Sequence, residues 1–512
     1  MPGSIERRAL LRSIAAAATM AAAGSARPLL AAPDEPMVRT RSGSIRGRIA
    51  GDVRIFTGIP YGSARRFQAP VATSPWRGVL NATRPPNVAP QPPGLFERAA
   101  AQSEDCLQLN IWTPIARGPH PVMIFLHGGA NEGGWCGDAD FAGDSFARSG
   151  IVFVGLNYRV GALGFLELGE QLGSRYRGSG NNGLRDQLLA MRWVHANIAA
   201  FGGDPGRITL AGNSAGAKNV AAHMARSESA GLFAQAASFS GGGQTVHDME
   251  IAQAFARLVT EKLGSRESLL ASPFAAIVGA QVEAKAAWPA GFPFRPVVDG
   301  TFLPGKPLDL IADGSARAIP LLIGTNRDES RLFFPPERAA GPLQTKDIAN
   351  EQLARMERLD QLYAQAFPSL TVAERHWRLL TDEEYAMPSL NLAEAQAAVG
   401  ADVYRYLLNH PAPGGPFKGS VPHAMELPLL FDRAVSGMAA RFFGLSARDQ
   451  PIADMLHRAV AAFVADGAPS AAALPDWPCF SEHDRMTMMI EAAPLVSADP
   501  DRAARFIWKK QD

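Results

Sequence analysis

The sequence predicts an α/β fold: a large, mostly parallel central sheet flanked by helices, with helical insertions over one end. Three observations predict it. Short, nearly continuous apolar runs recur: "PVMIFLHGG" (121–129), "GIVFVGLNY" (150–158), "RITLAGNS" (207–214), "AIPLLIGTN" (318–326) and "ADVYRYLLN" (401–409). Runs of Val, Ile, Leu and Phe without polar alternation suit strands buried on both faces, as in a parallel sheet. Between the second and third runs, Leu184, Leu188, Met191, Val194 and Ile198 keep a helical spacing that Gly202 and Gly203 end. After residue 214 the segment "AGAKNVAAHMARS" is helical again, so strand, turn and helix follow one another.

Taken in chain order, residues 1–32 are expected to stand outside this fold. Arg7 and Arg8 precede an alanine-rich apolar stretch and then small residues, which reads as a signal peptide with a twin-arginine address. A transmembrane helix takes about 20 strongly apolar residues, and this run is too short and too rich in alanine. Cleavage is expected between Ala26 and Ala32, giving an exported protein, periplasmic or secreted, with no later span. The competing reading is an amphipathic N-terminal helix of the fold itself. Residues 33–512 are expected to form one domain. Its start, "GSIRGRIAGDVRIFTGIPYG", alternates apolar and polar residues between glycines, as edge hairpins do. Between about 331 and 400 the pattern turns helical, and this segment is expected to cover one end of the sheet.

Composition narrows the function. The chain has 512 residues, 47% of them hydrophobic and 19% charged, with a net charge of +1. That allows a sizeable core and gives no electrostatic case for nucleic acid. The three cysteines, Cys106, Cys136 and Cys479, cannot build a disulfide framework, and no C-x-x-C metal spacing occurs. No essential disulfide and no metal site are expected. No sequence feature specifies an oligomeric state.

The chemistry centres on Gly212-Asn213-Ser214-Ala215-Gly216, a G-x-S-x-G pattern that fits a nucleophile elbow. The pentapeptide is weak evidence alone, but its place between strand and helix is where such a turn belongs. A serine hydroxyl needs a base, and the base needs an acid to fix its tautomer. Where the chain order is Ser, acid, His, the base must come from His376, His410, His423, His457 or His483. His457 lies in a helical pattern and His483 in a charged segment, whereas His423 in "SVPHAMELPLLF" occupies a loop ahead of an apolar run. For the acid, Glu329 and Asp328 in "LLIGTNRDESRLFF" both follow a buried strand and a polar turn. "HGGA" (127–130) after the strand 121–126 suits an oxyanion loop, with the N–H of Ala215 as a further donor.

Together "EDCLQLNIWTP", "PVMIFLHGGA", "NYRVGALGFL", "GNNGLRDQLLAMRWVHANIAAFGGDPGRITLAGNSAGA", "GTNRDES" and "HAMELPLLF" resemble the type-B carboxylesterase and cholinesterase family, from about residue 38 to the C-terminus. The resemblance implies an α/β-hydrolase fold and a cofactor-free serine esterase acting on small-molecule esters. It implies Ser214 as nucleophile, His423 as base and Glu329, rather than Asp328, as acid. Gly128, Gly129 and Ala130 match the oxyanion loop, with Gly129, Ala130 and Ala215 as its N–H donors, and Ser240 matches a serine beside the triad acid. Departures are visible. Asn213 stands where the family usually has Glu, which is expected to weaken any preference for cationic substrates. Ala130 replaces the third loop glycine. Cys106 stands where animal relatives form a disulfide, yet no cysteine precedes it. The segment after "GIPYG" is shorter than the family's usual proline-rich stretch, which bears on the rim of the gorge. Phe233, Trp288, Phe292, Phe294, Phe333 and Phe334 are candidates for an aromatic gorge, with core packing as the alternative for most. Two other readings use the same fold: a catalytically silent adhesion or binding module, and a hydrolase or transferase working on amides, lactones or thioesters.

Overall fold

The computed structural model describes residues 35–94, 100–229 and 231–509, so the expected signal peptide at residues 1–32 lies outside the described residues. An 11-stranded sheet forms the centre. Its strands are β1 (Arg48–Ala50), β2 (Val53–Pro60), β3 (Gln108–Pro114), β4 (His120–Leu126), β5 (Val152–Leu156), β6 (Gly203–Asn213), β7 (Gln235–Phe239), β8 (Leu321–Asn326), β9 (Val403–Leu408), β10 (Met486–Ile490) and β11 (Leu495–Ala498). Their spatial order is β11-β10-β9-β8-β7-β6-β4-β5-β3-β2-β1. From β4 to β10 every neighbour is parallel, while β1–β3 and β11 pair antiparallel at the two edges. Each apolar run singled out in the sequence is therefore a parallel strand, and the early alternating stretch is an edge hairpin.

The continuity of those runs has a direct packing cause. Along β4, Val122, Ile124 and Leu126 enter the core on one face, and Met123 and Phe125 enter the core on the other. Alternate side chains of a strand point to opposite faces, so a strand covered on both sides has no position left for a polar residue. Helix α1 (Asn182–Asn197) lays Leu184, Leu188, Met191 and Val194 on the first face. Helix α2 (Ala215–Met224) joins it there through Val220 and Met224. The second face is covered by α9 (Gln450–Asp466), through Ile452, Leu456, Val460 and Phe463.

Further helices pack around this core. They include α3 (Met249–Leu263), α4 (Phe274–Ala287), α5 (Leu353–Ala366), α6 (Val372–Thr381), α7 (Met387–Ala398) and α8 (Glu426–Leu430). The stretch around 265–295 is thus mostly helix, with a cavity-lining loop only after α4. A five-residue π turn, Asp382–Ala386, joins α6 to α7, and α7 packs back on β8 and β9. Among the described residues no helix is long and apolar enough to cross a membrane. The three cysteines are free thiols, Cys106 and Cys136 buried and Cys479 exposed.

A buried ion pair ties the turn after β5 to α1. Asp186, fully buried, accepts from Arg159 Nε at 2.8 Å, from a second guanidinium nitrogen at 2.7 Å and from the Arg159 backbone N–H at 3.0 Å. Removing one partner of such a pair leaves an uncompensated buried charge, which costs about 3–5 kcal/mol. Asp186→Ala is therefore expected to lower the urea unfolding midpoint sharply, and an unchanged midpoint would show that Arg159 finds another partner.

Candidate active site

Ser214 sits on the turn between β6 and α2, with φ 56° and ψ −124°. A positive φ is sparsely populated for a non-glycine residue and persists only where the surroundings enforce it. The enforcement here comes from the flanking glycines. A Cβ at Gly216 would lie 2.1 Å from the Leu126 carbonyl oxygen, and one at Gly212 would lie 2.5 Å from the Gly216 carbonyl carbon. Only glycine lets α2 start this close to the ends of β4 and β6. The Ser214 N–H donates to the Phe239 carbonyl of β7 at 2.9 Å, which fixes the turn from the other side.

The loop after β4 closes over Ser214. Gly128 approaches so tightly that an added Cβ would meet Ser214 Cβ at 2.9 Å. Gly129 has φ 116° and Ala130 φ 55°, so the loop turns through left-handed backbone. Ala130 adopts that conformation with a side chain, at a cost of about 1 kcal/mol. Ala215 begins α2, so its N–H has no intrahelical partner. Among the described residues, the N–H groups of Gly129 and Ala130 donate to no carbonyl either, leaving them available to a ligand oxygen. His127 stacks on Tyr158, with ring centres 4.3 Å apart, and the Tyr158 hydroxyl donates to the His127 carbonyl at 2.7 Å.

Glu329 follows β8 and is fully buried. Its Oε2 lies 2.5 Å from His423 Nδ1. Its Oε1 accepts from Ser240 Oγ at 2.6 Å and from the Asn326 backbone N–H at 2.7 Å. Asp328, the competing acid, turns the other way. It accepts from the Val421 N–H at 2.8 Å and pairs with Arg327, and a quarter of its side chain is exposed. The geometry therefore separates two neighbours that the sequence alone leaves level. Of the other four candidate histidines, three are engaged elsewhere, His376 with the Ala339 carbonyl, His410 with Asp449, and His457 with Ser149 and the Leu430 carbonyl, and His483 is exposed ahead of β10. His423 sits in the loop after β9, and the apolar run behind it is the short helix α8 rather than a strand.

Ser214, His423 and the loop 128–130 line one cavity of about 390 Å³. Phe292, Phe294 and Phe333 line it too, while Phe233 is buried in the core, Trp288 packs on Phe255 and Phe334 packs against the core. Half of the six candidate gorge aromatics therefore serve the cavity. Phe333 and Tyr385 flank the His423 ring, with centres 5.3 and 4.7 Å away. Tyr385 and Glu384 reach the cavity from the π turn. Such turns shift the register of a helix face, and they recur at functional sites.

A second buried carboxylate accompanies Glu329. Glu426, at the start of α8, accepts from Asn213 Nδ2 and Asn326 Nδ2, and lies 3.5 Å from Ser240 Oγ. Burial and, next, the negative charge of Glu329 push its carboxyl up to about 7, against the pull of His423. Asn213 thus serves as a donor to a carboxylate, where a glutamate would bring a third negative group. Glu426 and the π turn were the parts of the site that the motifs did not reveal.

A strand–turn–helix elbow at the end of a parallel sheet, with an acid after β8 and a histidine after β9, defines an α/β hydrolase. The chain belongs to the carboxylesterase family, whose sequence model matches residues 34–506. It is 32% identical to the para-nitrobenzyl esterase of Bacillus subtilis over 488 residues, covering 92% of this chain and 97% of that one. It is 31% identical to a fumonisin B1 esterase of Sphingopyxis macrogoltabida over 475 residues, 88% of this chain and 86% of that one. Among solved structures, a Geobacillus stearothermophilus carboxylesterase superposes with a TM-score of 0.81 at 34% identity, covering 92% of this chain and 99% of that one. The protein is a carboxylesterase.

The elbow makes a sharp prediction. Gly216→Ala would force the start of α2 away from Leu126, at a cost of about 1–3 kcal/mol for overpacking. The purified variant is expected to have a lower thermal midpoint and to lose most of its esterase activity. Wild-type activity in that variant would show that the close approach is not required.

Proposed function

We propose that this carboxylesterase works through Ser214, His423 and Glu329, by way of an acyl-enzyme. The observation that carries the reading is the 2.5 Å contact between Glu329 and His423 Nδ1, with His423 and the strained Ser214 lining one cavity. Glu329 holds Nδ1 as the protonated nitrogen and leaves Nε2 free to act as base. Ser214 Oγ attacks the ester carbonyl as His423 Nε2 takes its proton. The carbonyl π electrons move onto oxygen, which the N–H groups of Gly129, Ala130 and Ala215 stabilise. The intermediate collapses, the C–O bond to the alcohol breaks, and His423 returns its proton to the leaving oxygen. Water then attacks the acyl-serine with His423 again as base, releasing the acid and restoring Ser214. Every step uses side chains and backbone N–H groups of this chain.

Ser240 and Asn326 support the acid by donating to Glu329, and Ser240 lies between it and Glu426. With Asn213 in place of a carboxylate, the site has one negative group fewer beside the nucleophile, which goes with a weaker preference for cationic esters. Against a silent binding module stands the site itself, with Ser214 and His423 lining one cavity and buried Glu329 holding His423 Nδ1. Export belongs to the same reading and rests on Arg7, Arg8 and the apolar run after them.

Two experiments test these assignments. Hydrolysis of p-nitrophenyl butyrate is expected to fall by about 10⁴-fold or more in Ser214→Ala, the scale of losing a triad nucleophile. Turnover surviving in that variant would move the chemistry to another residue. Glu426 gives a pH signature. Below about pH 7 its carboxyl is largely protonated and contributes no charge, and above that it is ionised and supports the imidazolium that forms on His423. Glu426→Gln removes that charge, so kcat/KM is expected to drop by about tenfold at pH 8, equivalent to ~1.4 kcal/mol, and much less at pH 6. An equal loss at both values would mean that Glu426 acts through packing alone.

A further inference from the structure

The cavity contains a cation that the hydrolytic steps do not use. Lys218 lies one helical turn after Ser214 on α2, and its backbone N–H donates to the Ser214 carbonyl at 3.0 Å. Its side chain lines the cavity and is 13% exposed. The Nζ stands 5.7 Å from the centre of the Phe292 ring and 5.1 Å from that of Tyr385. Its ion-pair partner is Glu384. That carboxylate is shared, because its other oxygen meets Arg295 at 3.4 Å and Asn350 Nδ2 at 2.8 Å.

One carboxylate therefore faces two full cations. Glu383, its neighbour on the π turn, is occupied by the backbone N–H groups of Ala349, Asn350 and Glu351. Burial and the charge of Glu384 push Glu383 up to about 7, so near neutrality it offsets only part of a positive charge. Of the other acids lining the cavity, Glu132 pairs with Lys285 at 2.8 Å, while Asp138 accepts from a neutral donor, the Asp140 N–H, at 3.0 Å. Thr245, buried in the cavity wall, has a hydroxyl that meets no partner among the described residues. The cavity thus combines apolar rings with a desolvated ammonium whose carboxylate partner is shared with Arg295, an arrangement that a second anion at the ammonium would improve.

We propose that Lys218 makes the cavity selective for esters that carry a free carboxylate on an otherwise apolar acyl or alcohol body. The inference rests on the hydrolase reading above and names its substrate class. Lysine has three N–H donors, so the pair with Glu384 leaves others for a substrate carboxylate. Phe292 and Phe333 hold the apolar part. A cationic ester meets repulsion, and a neutral one gains nothing from the ammonium.

The test compares kcat/KM for matched pairs of esters. On the acyl side the pair is mono-p-nitrophenyl glutarate and p-nitrophenyl butyrate. On the alcohol side it is 4-(butyryloxy)benzoate and its methyl ester. The charged-to-neutral ratio is expected to fall by about tenfold in Lys218→Met for at least one pair, mainly through KM, and to be largely retained in Lys218→Arg. The pair that responds tells which part of the substrate carries the carboxylate. Glu384→Gln, which frees the ammonium from its competitor, is expected to raise the same ratio and keeps the test open if Lys218→Met does not fold. Ratios that stay put in both pairs, or a ratio that Glu384→Gln lowers, would overturn the proposal. If Ser214→Ala is inert while the ratios do not move, the hydrolase reading stands and only the substrate class falls. If Ser214→Ala hydrolyses the neutral ester as well as wild type does, the hydrolase reading itself fails.

Discussion

The close approach of α2 to the ends of β4 and β6 is the constraint on which the site depends. With Gly216 against the Leu126 carbonyl, the helix starts before the strand has turned away, and the chain has no room for an ordinary αR or β residue at 214. Ser214 is therefore held out of the sheet on a positive φ, and the N–H of Ala215 points out with it. The same approach brings Gly128 against the serine, so the loop 128–130 and Ser214 are set by one packing contact. Parallel β4, β6, β7, β8 and β9 then deliver the remaining groups to the same end, since the loop after each strand emerges there.

Charge is the second organising feature. Glu329 and Glu426 are both fully buried within reach of Ser240, and two carboxylates so placed resist simultaneous ionisation. Their oxygens are met by Ser240, Asn213, Asn326 and His423, so the desolvation of the pair is offset by hydrogen bonds rather than by a cation. Lys218, Arg295 and Glu384 form a separate cluster in which cations outnumber the carboxylate they share. The site thus pairs an acid-rich support behind His423 with a buried ammonium, Lys218, in the cavity wall.

The readable part of the molecule was that whose signals are local. Continuous apolar runs predicted the parallel strands because burial on both faces removes polar alternation. The G-x-S-x-G and HGGA patterns stood out because glycine is required by backbone contacts a few residues away. Glu329 and Asp328 could not be separated by spacing, since one residue of turn geometry decides which faces His423 and which holds Val421. Glu426 was hidden in an apolar run that forms a short helix, and its contact with Asn213 spans 213 residues. The π turn at Asp382–Ala386 carries no periodic signature, because a helical pattern before it continues after it. Lys218 carries no local signal, because Glu384, the carboxylate beside it, lies 166 residues away in sequence.

The covalent step is the centre of the account, and labelling tests it most directly. Full-length protein would be treated with a small alkyl fluorophosphonate, then digested and mapped by mass spectrometry. The predicted result is one phosphonyl group per chain on the peptide that contains Ser214, with loss of esterase activity in proportion to labelling. A label on a different residue, or full inactivation with Ser214 unmodified, would contradict it.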